Sequence, residues 1–276
     1  MFGDFGILEI LLLIACGVLL LALFPFVVGP VFIYFTHKQA AQPDLVPFTP
    51  GQTPLPANVD KFFSDACWAL DAAGFKIITG MFLPRQIEHV IAGLVFVVNR
   101  QERDSAIVVA LHGEAPGIMP FTQMHVEFVT RFKNGRLVQT ANAETLGAFP
   151  TPENAVNSFL PSIKDPRQLY RIHQAQVKLH GSGEKVLRLD DDFAGDAVRY
   201  IQFALIEELD NACQFGYMRL DAAESVYRPT IKGACLMTWQ ELWPIKGFRL
   251  ARRRRRERRL LEDLAYQVPE LAGMAK

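Results

Sequence analysis

The longest unbroken apolar stretch of the chain runs from Ile7 to Phe35, ILEILLLIACGVLLLALFPFVVGPVFIYF, with Glu9 its single charge. A helix needs about 20 apolar residues to cross a bilayer. The stretch therefore predicts a transmembrane anchor within residues 1–38, with the span at Leu11 to Val28. Pro25 and the Gly29–Pro30 pair are expected to kink or end that helix. A cleaved signal peptide would need a basic start and a shorter apolar core. Asp4 and Glu9 precede this core instead. LIAC, ending at Cys16, resembles a lipobox, but the long apolar run after it favours a span.

The pattern then changes. Residues 39–58, QAAQPDLVPFTPGQTPLPAN, carry five prolines and predict an extended, semi-stiff spacer. Val59, Phe62, Phe63, Ala66 and Leu70 follow at helical spacing, with Asn58 as a cap and Gly74 as a stop. Period-two and branched-rich runs come next: FKIITGMFL (75–83), HVIAGLVFVV (89–98), AIVVALH (106–112) and MHVEFVTRF (124–132). Asn134–Gly135 joins the last of these to RLVQTAN through a tight turn. Asp165–Pro166 opens a helix that reaches about His180. A longer helix is expected from about Asp191 to Gly216, with Val198, Ile201, Leu205 and Leu209 on one face. YMRLDAAESVYRPT reads as a small hairpin, and Thr230 caps a further helix broken at Pro244.

The expected fold is α+β. An N-terminal transmembrane helix leads to an antiparallel sheet of about five strands packed with helices, and a basic helix closes the chain. The folded domain is expected over 55–230, with an interfacial and arginine-rich segment over 231–276.

Charge sharpens this picture. Between Arg249 and Arg259 lie eight arginines and one glutamate, Glu257, a net of +7. Because the whole chain sums to zero, the remainder carries −7. The flank before the span has no Lys or Arg, whereas Lys38 and the arginine block follow it. That asymmetry predicts an outside N-terminus and a cytoplasmic domain. Just upstream of the arginines, Trp239, Trp243 and Phe248 are the residue types that favour a bilayer interface. Trp239, Trp243, Arg249, Arg252, Arg253, Arg254, Arg255, Arg256, Arg258 and Arg259 are therefore the candidate contacts to anionic lipid head groups. A protein partner, or nucleic-acid phosphates, would suit the same charge, although no aromatics interleave the run to stack bases.

Candidate chemistry is sparse. Cys16, Cys67, Cys213 and Cys235 stand apart, with no metal spacing and no disulfide framework. If the 106–112 and 124–132 strands pair, His112 would face His125, with Glu114 and Glu127 on the same side. Those four side chains are the candidate ligands for zinc or another transition metal. The competing reading is a solvated polar strand face. GSGEK (181–185) follows a helix and lacks the full phosphate-loop spacing; the aspartates of LDDDF (189–193) suit a helix start. YRPTIKG after a hairpin has the look of a winged-helix edge, yet no helix-turn-helix precedes it. No motif points to a cofactor.

FVTRFKNGRLVQTAN, DPRQLYRIHQAQVKLHG and YRPTIKGACLMTWQELWPIKGFRLARRRRRERR together resemble a class of bacterial membrane-anchored proteins to which no activity is assigned. The resemblance spans most of residues 120–260. It implies a bacterial inner membrane and carries over no catalytic residue. The expected role is binding or scaffolding at the membrane, ahead of a metal-dependent activity or nucleic-acid binding.

Overall fold

The computed structural model describes residues 7–267, apart from 54, 88–89, 103, 114–120, 145–146 and 182. Helix α1 (Ile7–Thr36) is continuous through Pro25 and Pro30 rather than ending near Val28. Residues Leu11–Thr36 are long and apolar enough to cross a membrane.

The expected spacer is instead part of the fold. Strand β1 (Gln39–Ala40) starts three residues after α1, and β2 (Val46–Phe48) pairs with residues 80–82. Leu45 and Phe48 are buried in the core. Apolar residues between the prolines supplied a strand pattern, and Pro47 is tolerated because β2, among the described residues, pairs with β3 alone and so lies at a sheet edge.

After α2 (Ala57–Asp71) come β3 (Lys76–Ile87), β4 (Val90–Asn99), β5 (Asp104–Gly113), β6 (Phe121–Arg131) and β7 (Leu137–Ala141), each antiparallel to the one before. These are the five strands the periodicity predicts. Strand β8 (Ala155–Phe159) then pairs parallel to β7. Three helices follow: α3 (Pro166–His180), the short α4 (Leu189–Asp192) and α5 (Ala197–Gln214). The predicted hairpin is β9 (Met218–Asp221) with β10 (Val226–Pro229), and β10 also pairs with β1. This three-stranded unit meets the larger sheet where Gln39 lies opposite Ile87. Helices α6 (Ile231–Trp239) and α7 (Ile245–Gln267) follow.

Both faces of the sheet are covered. On β4, Val95 and Val97 join Phe63 and Leu70 of α2 and Ile172 of α3 in one core. Leu94, Phe96 and Val98 join Tyr200 and Ile201 of α5 in a second. An apolar run without alternation is what a strand buried on two sides requires.

Helix starts follow local chemistry. Asp165 accepts a hydrogen bond from the Arg167 amide, with Pro166 at the first helical position. Thr230 accepts from the Gly233 amide at 3.1 Å. Two details differ from the sequence pattern. Helix α2 begins at Ala57 with no side-chain cap, so Asn58 lies inside it. The single helix expected from Asp191 is broken by Ala194 and Gly195, both at positive φ, and Asp196 caps the new start by accepting from the Arg199 amide.

A polar chain crosses the first core. Tyr170 donates to Asp104 at 2.8 Å, Thr130 donates to the other Asp104 oxygen at 3.3 Å, and Thr130 Oγ1 lies 2.9 Å from His173 Nε2. Since the Thr130 proton points to Asp104, His173 carries its own proton on Nε2 and accepts from Thr140 at Nδ1. Burial holds the His173 imidazole neutral, with its pKa lowered to about 3.

Candidate functional site

Helix α6 lies against the second half of α1. The Trp239 indole N–H donates to the Phe26 carbonyl at 2.7 Å. Gly29 admits the close approach, because a Cβ there would overlap the Thr238 methyl. On its other side α6 touches the hairpin, where a Cβ on Gly233 would overlap the Tyr217 carbonyl. Lys38, just past α1, pairs with Glu224 at 2.8 Å, and the Arg219 guanidinium lies 5.6 Å from the Tyr34 ring centre. The end of α1 is thus bound to the domain by packing, hydrogen bonding and charge together. Beyond α6, Trp243 and Phe248 are 82% and 73% exposed.

The arginine block forms the middle of α7, and the helix is two-sided. Arg253, Glu257, Leu261 and Leu264 recur at three- and four-residue steps and face the domain. Leu261 and Leu264 lie in the first core beside Leu160 and Ile163. The domain therefore extends past the expected limit of residue 230 and includes α7. Glu257, the acidic exception in the run, is buried. It accepts from the Ser162 amide at 3.0 Å and from the Ser162 hydroxyl at 2.5 Å. Arg253 donates to the Glu144 carbonyl and Arg249 to the Gly147 carbonyl, so these two candidate lipid contacts are turned toward protein. Arg252, Arg254, Arg255, Arg256, Arg258 and Arg259 remain exposed on the opposite face. Trp239 is committed to α1, whereas Trp243 is exposed.

The candidate metal ligands are not brought together. In the β5–β6 register His112 faces Thr122, while His125 faces Val109, three residues along the ladder or about 10 Å away. His112 Nδ1 lies 3.1 Å from the Thr122 hydroxyl. Glu114 lies outside the described residues. Among the described residues no cluster of three His, Cys, Asp or Glu side chains is arranged to hold a metal. The reason is registry: an expected match one pair off moves every side chain, and here the true pairing is shifted by three.

His125 and Glu127 do share a face, 4.0 Å apart. Burial lowers the His125 pKa to about 4, so the imidazole is neutral at pH 7. Burial, reinforced by Glu208 on α5, raises Glu127 to about 7, against the Gln139 hydrogen bond and Arg131. Close by, Arg131 pairs with Glu207 of α5. The contact between His125 and Glu127 is therefore not an ion pair at neutral pH.

The pairing of Glu257 with Ser162 is not among the expectations from sequence. The signal was present as a lone acid inside a basic run, in helical phase with Leu261 and Leu264. No protein family, curated protein or solved structure matches the chain, so its function is argued from these residues alone.

Proposed function

We propose that the protein is a membrane-anchored binding or scaffolding platform that holds a cytoplasmic α+β domain close to the bilayer. In this reading the outer face of α7 contacts anionic lipid head groups, in a bacterial inner membrane. One observation carries it: α7 exposes six arginines on one side while Glu257, Leu261 and Leu264 fix the other side in the core. The charged face is thus displayed by a rigid element rather than a loose tail. Each basic residue at an anionic surface contributes about 1 kcal/mol, so a preordered row of six makes a firm contact. The direct passage from α1 into β1 and the Trp239–Phe26 contact support a domain seated at the membrane, with Trp243 and Phe248 as interfacial anchors. Lys38 and the arginines lie on one side of the span, which supports the cytoplasmic orientation.

Nucleic-acid binding fits less well. Helix α5, which precedes the hairpin, buries Tyr200 and Ile201 and exposes Glu208 and Asp210, a charge unsuited to phosphate.

Limited trypsin digestion of the full chain in nanodiscs tests the proposal. Cleavage after the α7 arginines is expected to slow several-fold in anionic over zwitterionic lipid and to recover in high salt. Cleavage at Lys133 and Arg136, on a remote turn, serves as the internal reference. Equal α7 rates in both lipids would remove the lipid contact.

A further inference from the structure

A cavity of about 140 Å³ opens on the α5 side of the sheet, between β4, β5, β6 and the segment leading into α4. Phe96 lies on its apolar wall, and Arg100, Arg131, Arg188, Ser105 and Tyr200 supply polar groups. Each guanidinium already has a carboxylate: Arg131 pairs with Glu207, Arg188 with Asp191 at 3.0 Å, and Arg100 with Asp190 at 3.0 Å. Those pairings are incomplete. The Nε atoms of Arg131 and Arg188 are buried and have no partner among the described residues. Buried donors of charged groups are costly to leave unpaired, and two of them on the wall of one cavity call for an acceptor. The Ser105 hydroxyl donates to the Val129 carbonyl at 3.1 Å, so the hydroxyl proton available beside the cavity is that of Tyr200, 3.3 Å from Ser105. Asp104 also lines the cavity, but its two oxygens accept from Tyr170 and Thr130, and burial raises its pKa. Its charge is thereby spent on the other side of the sheet.

We propose that this cavity binds a small oxyanion-bearing ligand, a phosphate or carboxylate compound, through Arg131 and Arg188 with Arg100 at the mouth. An oxyanion takes donors in the paired geometry that guanidinium offers. A void of this volume admits a molecule about the size of a benzene ring. The apolar wall suits a short carbon skeleton behind the acidic group. The site is independent of the arginines of α7, none of which lines it.

The test is calorimetric titration of the full chain in neutral detergent, with inorganic phosphate and separately with malonate, at constant ionic strength. A saturable isotherm of one site per chain is expected for at least one of the two. R188Q should weaken it at least tenfold; its partner Asp191 lies at the surface, so folding is retained. The triple variant R254Q/R255Q/R256Q should bind as the parent does. Neither anion binding saturably, or R188Q binding like the parent, would overturn the proposal and leave a water-filled void. Loss of binding in the triple variant instead would assign the anion to α7, sinking this site and leaving the lipid reading intact.

Discussion

The Trp239 indole N–H donates to the Phe26 carbonyl, which is the carbonyl that Pro30 leaves without a helical partner. In an uninterrupted helix the residue-30 amide would donate to it, and proline has none to give. Helix α6 thus repairs the gap that Pro30 makes in α1. The same contact shows why the proline fails to end the helix.

That relationship predicts a compensating pair. Trp239→Phe should cost about 1 kcal/mol through the lost hydrogen bond. Pro30→Ala should make the indole N–H less important by restoring the helical donor. A double-mutant cycle on thermal unfolding in detergent measures the coupling. Additive losses would show that the two residues act separately.

Gly233 is expected to be the least replaceable residue of α6. A methyl there meets the Tyr217 backbone, whereas one on Gly29 meets the end of the Thr238 side chain. Overpacking of this kind costs typically 1–3 kcal/mol. Gly233→Ala should therefore lower the melting temperature more than Gly29→Ala, and the reverse order would contradict the packing described.

Glu257→Ala should release α7 from the domain. It leaves the Ser162 donors without their acceptor, a loss of roughly 1.5–3 kcal/mol for bonds to a charged group. Glu262→Ala, on the exposed side, should be nearly neutral. Hydrogen exchange over 249–267 distinguishes the two, because only the first should speed it. Leu264→Ala should act in the same direction by about 2–5 kcal/mol.

Glu127 gives a pH signature. Its folded pKa, raised to about 7, exceeds the unfolded value of 4.5, so the folded state binds the extra proton between those pH values. The contribution of Glu127 to stability therefore falls as pH rises from about 4.5 to 7 and is flat above. Stability of the parent minus that of Glu127→Gln should fall through this window by up to roughly 3 kcal/mol. A difference independent of pH would mean that the carboxyl is solvated.

His173 runs the other way. Its folded pKa, about 3, lies below the unfolded 6.5, so the unfolded chain takes the proton first and stability is lost as pH falls below about 6.5. His173→Gln should lessen that acid sensitivity relative to the parent. Thermal midpoints between pH 7 and 4.5 would show it.

Much of this architecture is written locally. The anchor, the five strands β3 to β7, the Asp165 and Thr230 caps and the β9–β10 hairpin follow from apolar period, turn chemistry and capping, which act between residues a few positions apart. The run of eight arginines likewise announces a charged helix. Tertiary structure decided what those elements do. Five prolines suggested a spacer, yet Phe48 finds the core that α2 covers and Leu45 the core that α5 covers, on opposite faces of the sheet. His112 and His125 were set apart by strand registry, which depends on the burial of whole strand faces rather than on either histidine. Glu257 became a buried anchor because Ser162, 95 residues earlier, lies opposite it. The cavity of Arg100, Arg131 and Arg188 draws on β4, β6 and the approach to α4, segments that no local pattern links. Sequence fixes the period of each element by short-range sterics and burial. Which faces meet is settled by long-range packing, and that is where the candidate sites of this protein are made.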